Sequence, residues 1–220
     1  MFHLVQIFSI APVSRICITT TPLEPIASFA LCNICGIGEN DRILDPFSGS
    51  CAILLAAAMI SPSCQTVGID IAHDGLINRD HIFEDFATRD LTPPKAVFEG
   101  DFMNPDDRAK ARAAVGDVAF DHIITDPPYG IRERKDANAP TPLEELFQSI
   151  VEDRNRGTPL LKKGGKLVCF IPCWVKKEKL ADNLPTPEQT KAAGMKLLFS
   201  REQPLSSKLS RWLVSYVSLE

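Results

Sequence analysis

The chain has 220 residues, 45% of them hydrophobic and 24% charged, with a formal net charge of −4. That length suffices for one α/β domain with a full core, and the acidic balance excludes a field that would gather nucleic acid unaided, so a polyanionic substrate would need gripping by another module. The opening MFHLVQIFSIAPVSR is apolar but has no basic leader, is interrupted by Gln6 and Ser9, and reaches Pro12 and Arg15 too soon to span a bilayer, so neither export nor a membrane anchor is expected. Cys17, Cys32, Cys35, Cys51, Cys64, Cys169 and Cys173 make an odd set without a disulfide framework, which fits reduced thiols and a cytoplasmic location. Cys32 and Cys35 form a C-x-x-C inside an apolar run with no second pair and no nearby histidine, so core thiols are expected there and no metal site. His3, His73, His81 and His122 show no metal-ligand spacing either.

In chain order, PLEPIASFALCNICGIG has apolar residues at helical spacing and closes on Gly36. DRILD is a short strand, PFSGS a turn, and CAILLAAAMI an apolar helix. QTVGID is a second strand, and the mixed polar stretch Ala72 to Leu91 has room for a helix. KAVFEGD gives a third strand, PDDRAKARAAVG a helix, and VAFDHIIT a fourth strand running into TDPPYG. Helical spacing returns in PLEELFQSIVEDRNRG. A glycine turn at Gly164 and Gly165 precedes a fifth strand, KLVCFIP; TPEQTKAAG reads as a short helix, and MKLLFS and RWLVSYVS as closing strands. Strands alternating with helices across short turns predict a mostly parallel sheet covered on both faces, with no internal repeat.

In such sheets the ligand lies beyond the carboxyl ends of the strands, at the switch point of strand order. Acids stand where the predicted strands stop: Asp45, Asp70, Asp101 and Asp126. One such aspartate is usually a turn former or helix cap; four in succession indicate a site. Asp70 stands 21 residues past Gly49, a spacing that suits a carboxylate accepting from ribose hydroxyls. DPFSGS lacks the full G-x-G-x-x-G of a pyrophosphate loop, so a nucleoside cofactor without phosphates fits better.

DPFSGS, GID, GDF and TDPPYG, in that order, resemble the motifs of S-adenosylmethionine-dependent amino-methyltransferases. TTPLEPIASFALCN, FDHIITDPPYGIRE, LLKKGGKLVCFIP and REQPLSSKLSRWLVSYV resemble more narrowly the catalytic domain of the tRNA guanosine N2-methyltransferase family that modifies position ten. The likeness divides the chain into an N-terminal extension or remnant, residues 1–14, and a methyltransferase domain, residues 15–220. It implies a doubly wound Rossmann-like α/β fold, a mostly parallel seven-stranded sheet with an antiparallel C-terminal strand. For S-adenosyl-L-methionine it implies that Asp45, Pro46, Phe47 and Gly49 line the methionine side, Asp70 and Ile71 the ribose, and Asp101 with Phe102 the adenine, with Asp126 also at the cofactor. It implies tRNA as substrate, a small zinc-binding activator subunit as partner, and an N-terminal RNA-binding half with a THUMP domain, which 220 residues leave no room for. Cys51 departs from the family pattern, standing where a second turn glycine is usual. Arg211 falls at a family-matched position to which no role attaches.

TDPPYG carries the chemistry. An exocyclic aromatic amine is a poor nucleophile because its lone pair is delocalised into the ring. The Asp126 carboxylate and the Pro127 carbonyl can each accept one N–H and so turn the lone pair toward a methyl donor. Pro127 and Pro128 fix φ and remove competing donors. Tyr129 is expected to stack on a flipped-out base, a contact worth ~1–3 kcal/mol, while Gly130 leaves room for close approach. Arg132 follows as a phosphate contact, with Arg134 and Lys135 open between that role and a solvated loop. The leading expectation is N2-methylation of guanosine in tRNA. A DNA adenine-N6 methyltransferase is the second reading, because D-P-P-Y serves that chemistry too; a catalytically silent methyltransferase-like subunit is the third.

Overall fold

Pro25 opens the first helix, α1 (Pro25–Cys35), and the residue before it, Glu24, is extended with ψ 143°, as steric conflict with a following proline requires. The helix is therefore shorter than its apolar run. The computed structural model describes residues 7–19, 21–71, 78–129, 140–175 and 179–220. Among these the chain alternates β1 (Arg42–Asp45), α2 (Ala52–Ile60), β2 (Gln65–Asp70), α3 (Arg79–Ala87), β3 (Ala96–Glu99), α4 (Pro105–Ala113), β4 (Phe120–Thr125), α5 (Pro142–Asn155), β5 (Leu161–Trp174), α6 (Pro187–Ala192), β6 (Met195–Pro204) and β7 (Leu209–Ser218).

The strands form one sheet in the order β3-β2-β1-β4-β5-β7-β6. Strands β1 to β5 pair in parallel; β7 lies antiparallel to both β5 and β6. This is the mostly parallel sheet expected from the alternation of elements, with the seven strands and antiparallel C-terminal strand that the resemblance implied. Helices α1, α2 and α3 supply one core layer, with Phe29, Leu54 and Phe86 buried in it. Helices α4 and α5 supply the layer on the opposite face, around Phe120, Phe147 and Tyr216. Strands β1, β2 and β4 are buried along most of their length, each around a short apolar centre.

Two boundaries differ from the sequence reading. The glycine pair Gly164–Gly165 does not precede β5 but lies inside it: Phe120 pairs with Leu161 and His122 with Lys166, so the register slips there, and Gly164 takes φ 76°. A bulge needs a residue that adopts positive φ without strain, and a glycine supplies it. The last two strands are also longer than MKLLFS and RWLVSYVS suggested, pairing from Met195↔Ser218 out to Pro204↔Ser210.

The chain enters through two short 3-10 turns, Phe8–Ile10 and Pro12–Ser14, and Ile10 is buried in the first core layer. Buried Asp85 on α3 ties this entry down, accepting from Arg15 Nε at 2.8 Å and from the backbone N–H groups of Ile16 and Cys17. Arg15 Nη2 also donates to the Ser50 carbonyl, in the loop after β1. No helix among the described residues is long and apolar enough to cross a membrane.

Candidate active site

The sheet order reverses between β1 and β4, and the strand-end acids fall along its carboxyl edge in the spatial order Asp101, Asp70, Asp45, Asp126. Each of the first three organises the loop beside it. Asp45 Oδ1 accepts from Thr125 Oγ1 at 2.7 Å and from the Phe47 N–H at 3.2 Å, so it ties the end of β1 to the end of β4. Asp70 Oδ2 accepts from the Gly49 N–H at 2.7 Å, and the Ser48 N–H donates to the Ile69 carbonyl at 2.9 Å; together these bonds fold the PFSGS loop over the end of β2. The approach is close: a Cβ on Gly68 would stand 2.7 Å from Ser48 Oγ, so only glycine fits in β2 beneath the loop. Asp101 Oδ1 accepts from the Met103 N–H at 2.8 Å, an Asx turn.

Asp126 differs. Its Oδ1 is buried and has no hydrogen-bond partner among the described residues, while the Tyr129 hydroxyl bonds to the carboxylate. Burial pushes Asp126 up to about 6, against the lowering effect of the Tyr129 hydrogen bond and the Arg211 charge. Asp45, only 1% exposed, is pushed up to about 7, first by burial and then by the charges of Asp70 and Asp126, against the hydrogen bonds from Thr125 and Phe47. Two carboxyl groups at one switch point, both raised toward neutrality, mark a site rather than a surface ion-pair network.

The remaining expected residues divide. Pro46 and Pro127 are buried, Phe47 and Tyr129 half-buried, and Pro128 and Ile71 exposed. Phe102 is 2% exposed, its ring packed 6.3 Å from that of Phe47, so the Asp101 carboxylate is the exposed group at that strand end. Cys51 takes φ 62°, ψ 32° at the N-cap of α2: the turn keeps the left-handed conformation that glycine adopts freely, with a side chain on it. Gly130, Arg132, Arg134 and Lys135 lie outside the described residues. Cys32 and Cys35 sit in the core, their thiols pushed up by burial. No cluster of three or more metal-binding side chains occurs among the described residues.

Three partners of the site received no role in the sequence reading. Thr125 holds Asp45. Arg211 on β7 reaches Tyr129 Oη through Nη1 at 3.4 Å and Glu24 through Nη2 at 3.4 Å. All three stood inside quoted motifs, but Glu24 and Arg211 meet the site only through tertiary contacts.

This strand order with acids at the carboxyl edge is a Rossmann-like fold, and solved methyltransferases share it. TrmN from Thermus thermophilus superposes with a TM-score of 0.60 at 22% identity, covering 91% of this chain and 50% of that one. A geranyl diphosphate methyltransferase solved in complex with GPP and sinefungin gives 0.55 at 9% identity, covering 89% and 78%.

Residues 12–82 match the family model of the RMKL-like methyltransferase domain. The sequence as a whole is similar to tRNA guanine-10 N2-methyltransferases. It is 28% identical over 160 residues to the tRNA (guanine(10)-N2)-dimethyltransferase of Methanothermobacter thermautotrophicus, covering 73% of this chain and 41% of that protein. It is 26% identical over 242 residues to the tRNA (guanine(10)-N(2))-methyltransferase of Mus musculus, covering 90% and 47%. The chain thus spans less than half the length of these curated relatives.

Proposed function

We propose that this chain transfers a methyl group from S-adenosyl-L-methionine to the exocyclic N2 amine of a guanosine in tRNA. The observation that carries the reading is the buried Oδ1 of Asp126 at the switch point, which has no partner among the described residues: an acceptor left free of those donors is open to a ligand's N–H. Similarity to enzymes named for guanine-10 N2 chemistry supports the choice of amine.

The residues present fit the cofactor. Asp70, beside the Gly49 loop, would take the ribose hydroxyls together with Ile71; Asp45, Pro46, Phe47 and Gly49 would border the methionine part; Asp101 and the Phe102 backbone would border the adenine. Bound there, S-adenosyl-L-methionine supplies an electrophilic methyl group on a sulfonium. The chain's own contribution is orientation. Asp126 and the Pro127 carbonyl accept the two amine N–H bonds and localise the lone pair, the prolines hold both acceptors still, and Tyr129 stacks on the extruded base. Asp126 must be ionised to accept, so activity rises with pH through about 6.

The acidic chain offers few phosphate contacts, so an RNA-binding module, in cis or in trans, is part of the proposal, with Arg132 as one local contact. So are a cytoplasmic setting and a small zinc-binding activator subunit that covers exposed apolar surface. The test is to supply an RNA-binding module, incubate with unmodified tRNA and S-adenosyl-L-methionine, digest, and identify nucleosides by mass spectrometry. N2-methylguanosine is expected, and Asp126→Ala should lower the rate at least a hundredfold while cofactor binding holds, because the lost bond matters mainly in the transition state. N6-methyladenine in DNA would establish the second reading instead, and cofactor binding without either product would establish a silent subunit.

A further inference from the structure

Arg211 is a buried cation whose charge acts on the proposed acceptor. It is 4% exposed, and its guanidinium lies 4.1 Å over the Phe170 ring. Arg211 pairs across β5 with Pro172, so Phe170, two residues along, is a diagonal neighbour on the same face. On the other side, cross-strand partner Gln203 accepts from Nε at 2.8 Å. Stacking and this bond fix the guanidinium plane, and from that plane Nη1 reaches Tyr129 Oη and Nη2 reaches Glu24. An arginine held on three sides and directed at the D-P-P-Y tyrosine is more than a satisfied core cation, because the same tyrosine hydroxyl bonds Asp126.

We propose that Arg211 is a positioning residue for the proposed methyl transfer: it holds the Tyr129 hydroxyl against Asp126, and its fixed charge keeps the buried Asp126 carboxylate ionised and able to accept the substrate N–H. The inference rests on the amine-aiming reading of Asp126. Among the described residues the groups facing Asp126 are Tyr129 from its own loop, Arg211 from β7, Glu24 ahead of α1, Asp45 at the end of β1 and Cys169 on β5. Of these Arg211 alone is a cation. Burial raises the Asp126 carboxyl, Tyr129 and Arg211 lower it, and Glu24 raises it. Glu24 and Arg211 therefore act on Asp126 in opposite directions, and Glu24, whose side chain is 62% exposed, is ion-paired to Arg211.

The test reads Asp126 itself. In the full chain carrying ¹³C-labelled aspartate carboxyls, with Asp126→Asn giving the assignment, the carboxyl is titrated by NMR. Arg211→Met is expected to move the midpoint up by about one pH unit or more; Arg211→Lys should restore most of it, and Glu24→Gln should move it down. A merely structural arginine would lower thermal stability and leave every midpoint in place, and that result overturns the proposal. If Arg211→Met does not fold, Arg211→Gln and the exposed Glu24→Gln decide by the same criterion. The methylation assay on these variants separates the two ideas. Midpoints that move while the wild type methylates nothing sink the amine-aiming reading but uphold the charge coupling. Methylation with unmoved midpoints overturns the role of Arg211.

Discussion

Cys51 sits at φ 62° with its side chain fully buried, a conformation that costs a residue with a Cβ about 1–2 kcal/mol. It persists because the chain must turn from β1 into α2 there, fixed by the Cys51 N–H donating to the Ser48 carbonyl at 2.7 Å. Cys51→Ala and Cys51→Gly both delete the buried sulfur, so their difference isolates the backbone. The glycine variant should be the more stable by about 1 kcal/mol in urea denaturation, the reverse of the usual order for a helix terminus losing side-chain volume; an alanine variant of equal or greater stability would show the turn to be unstrained. Asp45 supports a second expectation. Its carboxyl is pushed up to about 7, and a cationic cofactor binds better to the ionised form. S-adenosyl-L-methionine affinity should therefore fall up to tenfold per pH unit below 7, and Asp45→Asn should be weak but flat across that range by calorimetry. The strand-end acids were legible in the sequence because their signal is local: a carboxylate where an apolar run stops. The parts played by Glu24 and Arg211, 187 residues apart, were not, because nothing short of the folded sheet brings Arg211 to Tyr129 and Glu24 to Arg211.

At the scale of elements, short apolar runs between helices were enough to locate the central strands, since strands buried on both faces need no alternation to be recognised, while the ends of β5, β6 and β7 were not legible from such runs. Helix α4 was harder to read. PDDRAKARA has the composition of a solvated face, yet Arg108 on it is 0% exposed. Its Nε and Nη2 bond Asp153 of α5 at 2.9 and 3.0 Å, and its Nη1 bonds the Phe102 and Met103 carbonyls. Arg112 joins at 3.2 Å from Asp153. Asp153 thus neutralises two arginines and clamps α5 onto the segment that carries Asp101 and Phe102. Asp153→Ala would leave Arg108 with the half-exposed Glu152 as its one carboxylate partner among the described residues. Breaking a buried pair from one side costs about 3–5 kcal/mol; with Glu152 remaining, a loss of about 3 kcal/mol is expected in denaturant unfolding. Arg156→Ala, which breaks an exposed i,i+4 pair with the same Glu152, should cost less than about 0.5 kcal/mol. Equal effects would mean that the α4–α5 clamp contributes nothing special.

Gathering carboxylates at one edge of the sheet affects the stability of the whole molecule. Several acids are held low, Asp121 and Asp85 among them. Asp121 goes down to about 2, its burial outweighed by hydrogen bonds from Arg42 and Lys162. Asp85 is lowered, again against burial, by the Ile16 N–H, Arg15 and the Cys17 N–H. For such groups the folded state binds fewer protons than the unfolded chain, so their stabilisation is present above the unfolded value near ~3.9 and is lost as pH falls. Asp45 and Asp126 have the opposite sign. Raised to about 7 and about 6, they hold protons in the folded state that the unfolded chain has released, so each destabilises the fold progressively as pH rises from ~4 toward those values. His122 is lowered, chiefly by burial, and works against that decline as pH approaches ~6.5; one imidazole then opposes two carboxyls. Without cofactor, the domain should be most stable in weak acid, near pH ~4–5, and lose stability toward neutrality. Thermal unfolding across pH 3–8 checks this, with Asp45→Asn flattening the upper limb and a cationic cofactor restoring stability above pH 7. A wild-type curve that rises steadily from pH 4 to 7 would mean that the two site carboxyls are not strained by their burial, and the electrostatic basis of the candidate site would fall with it.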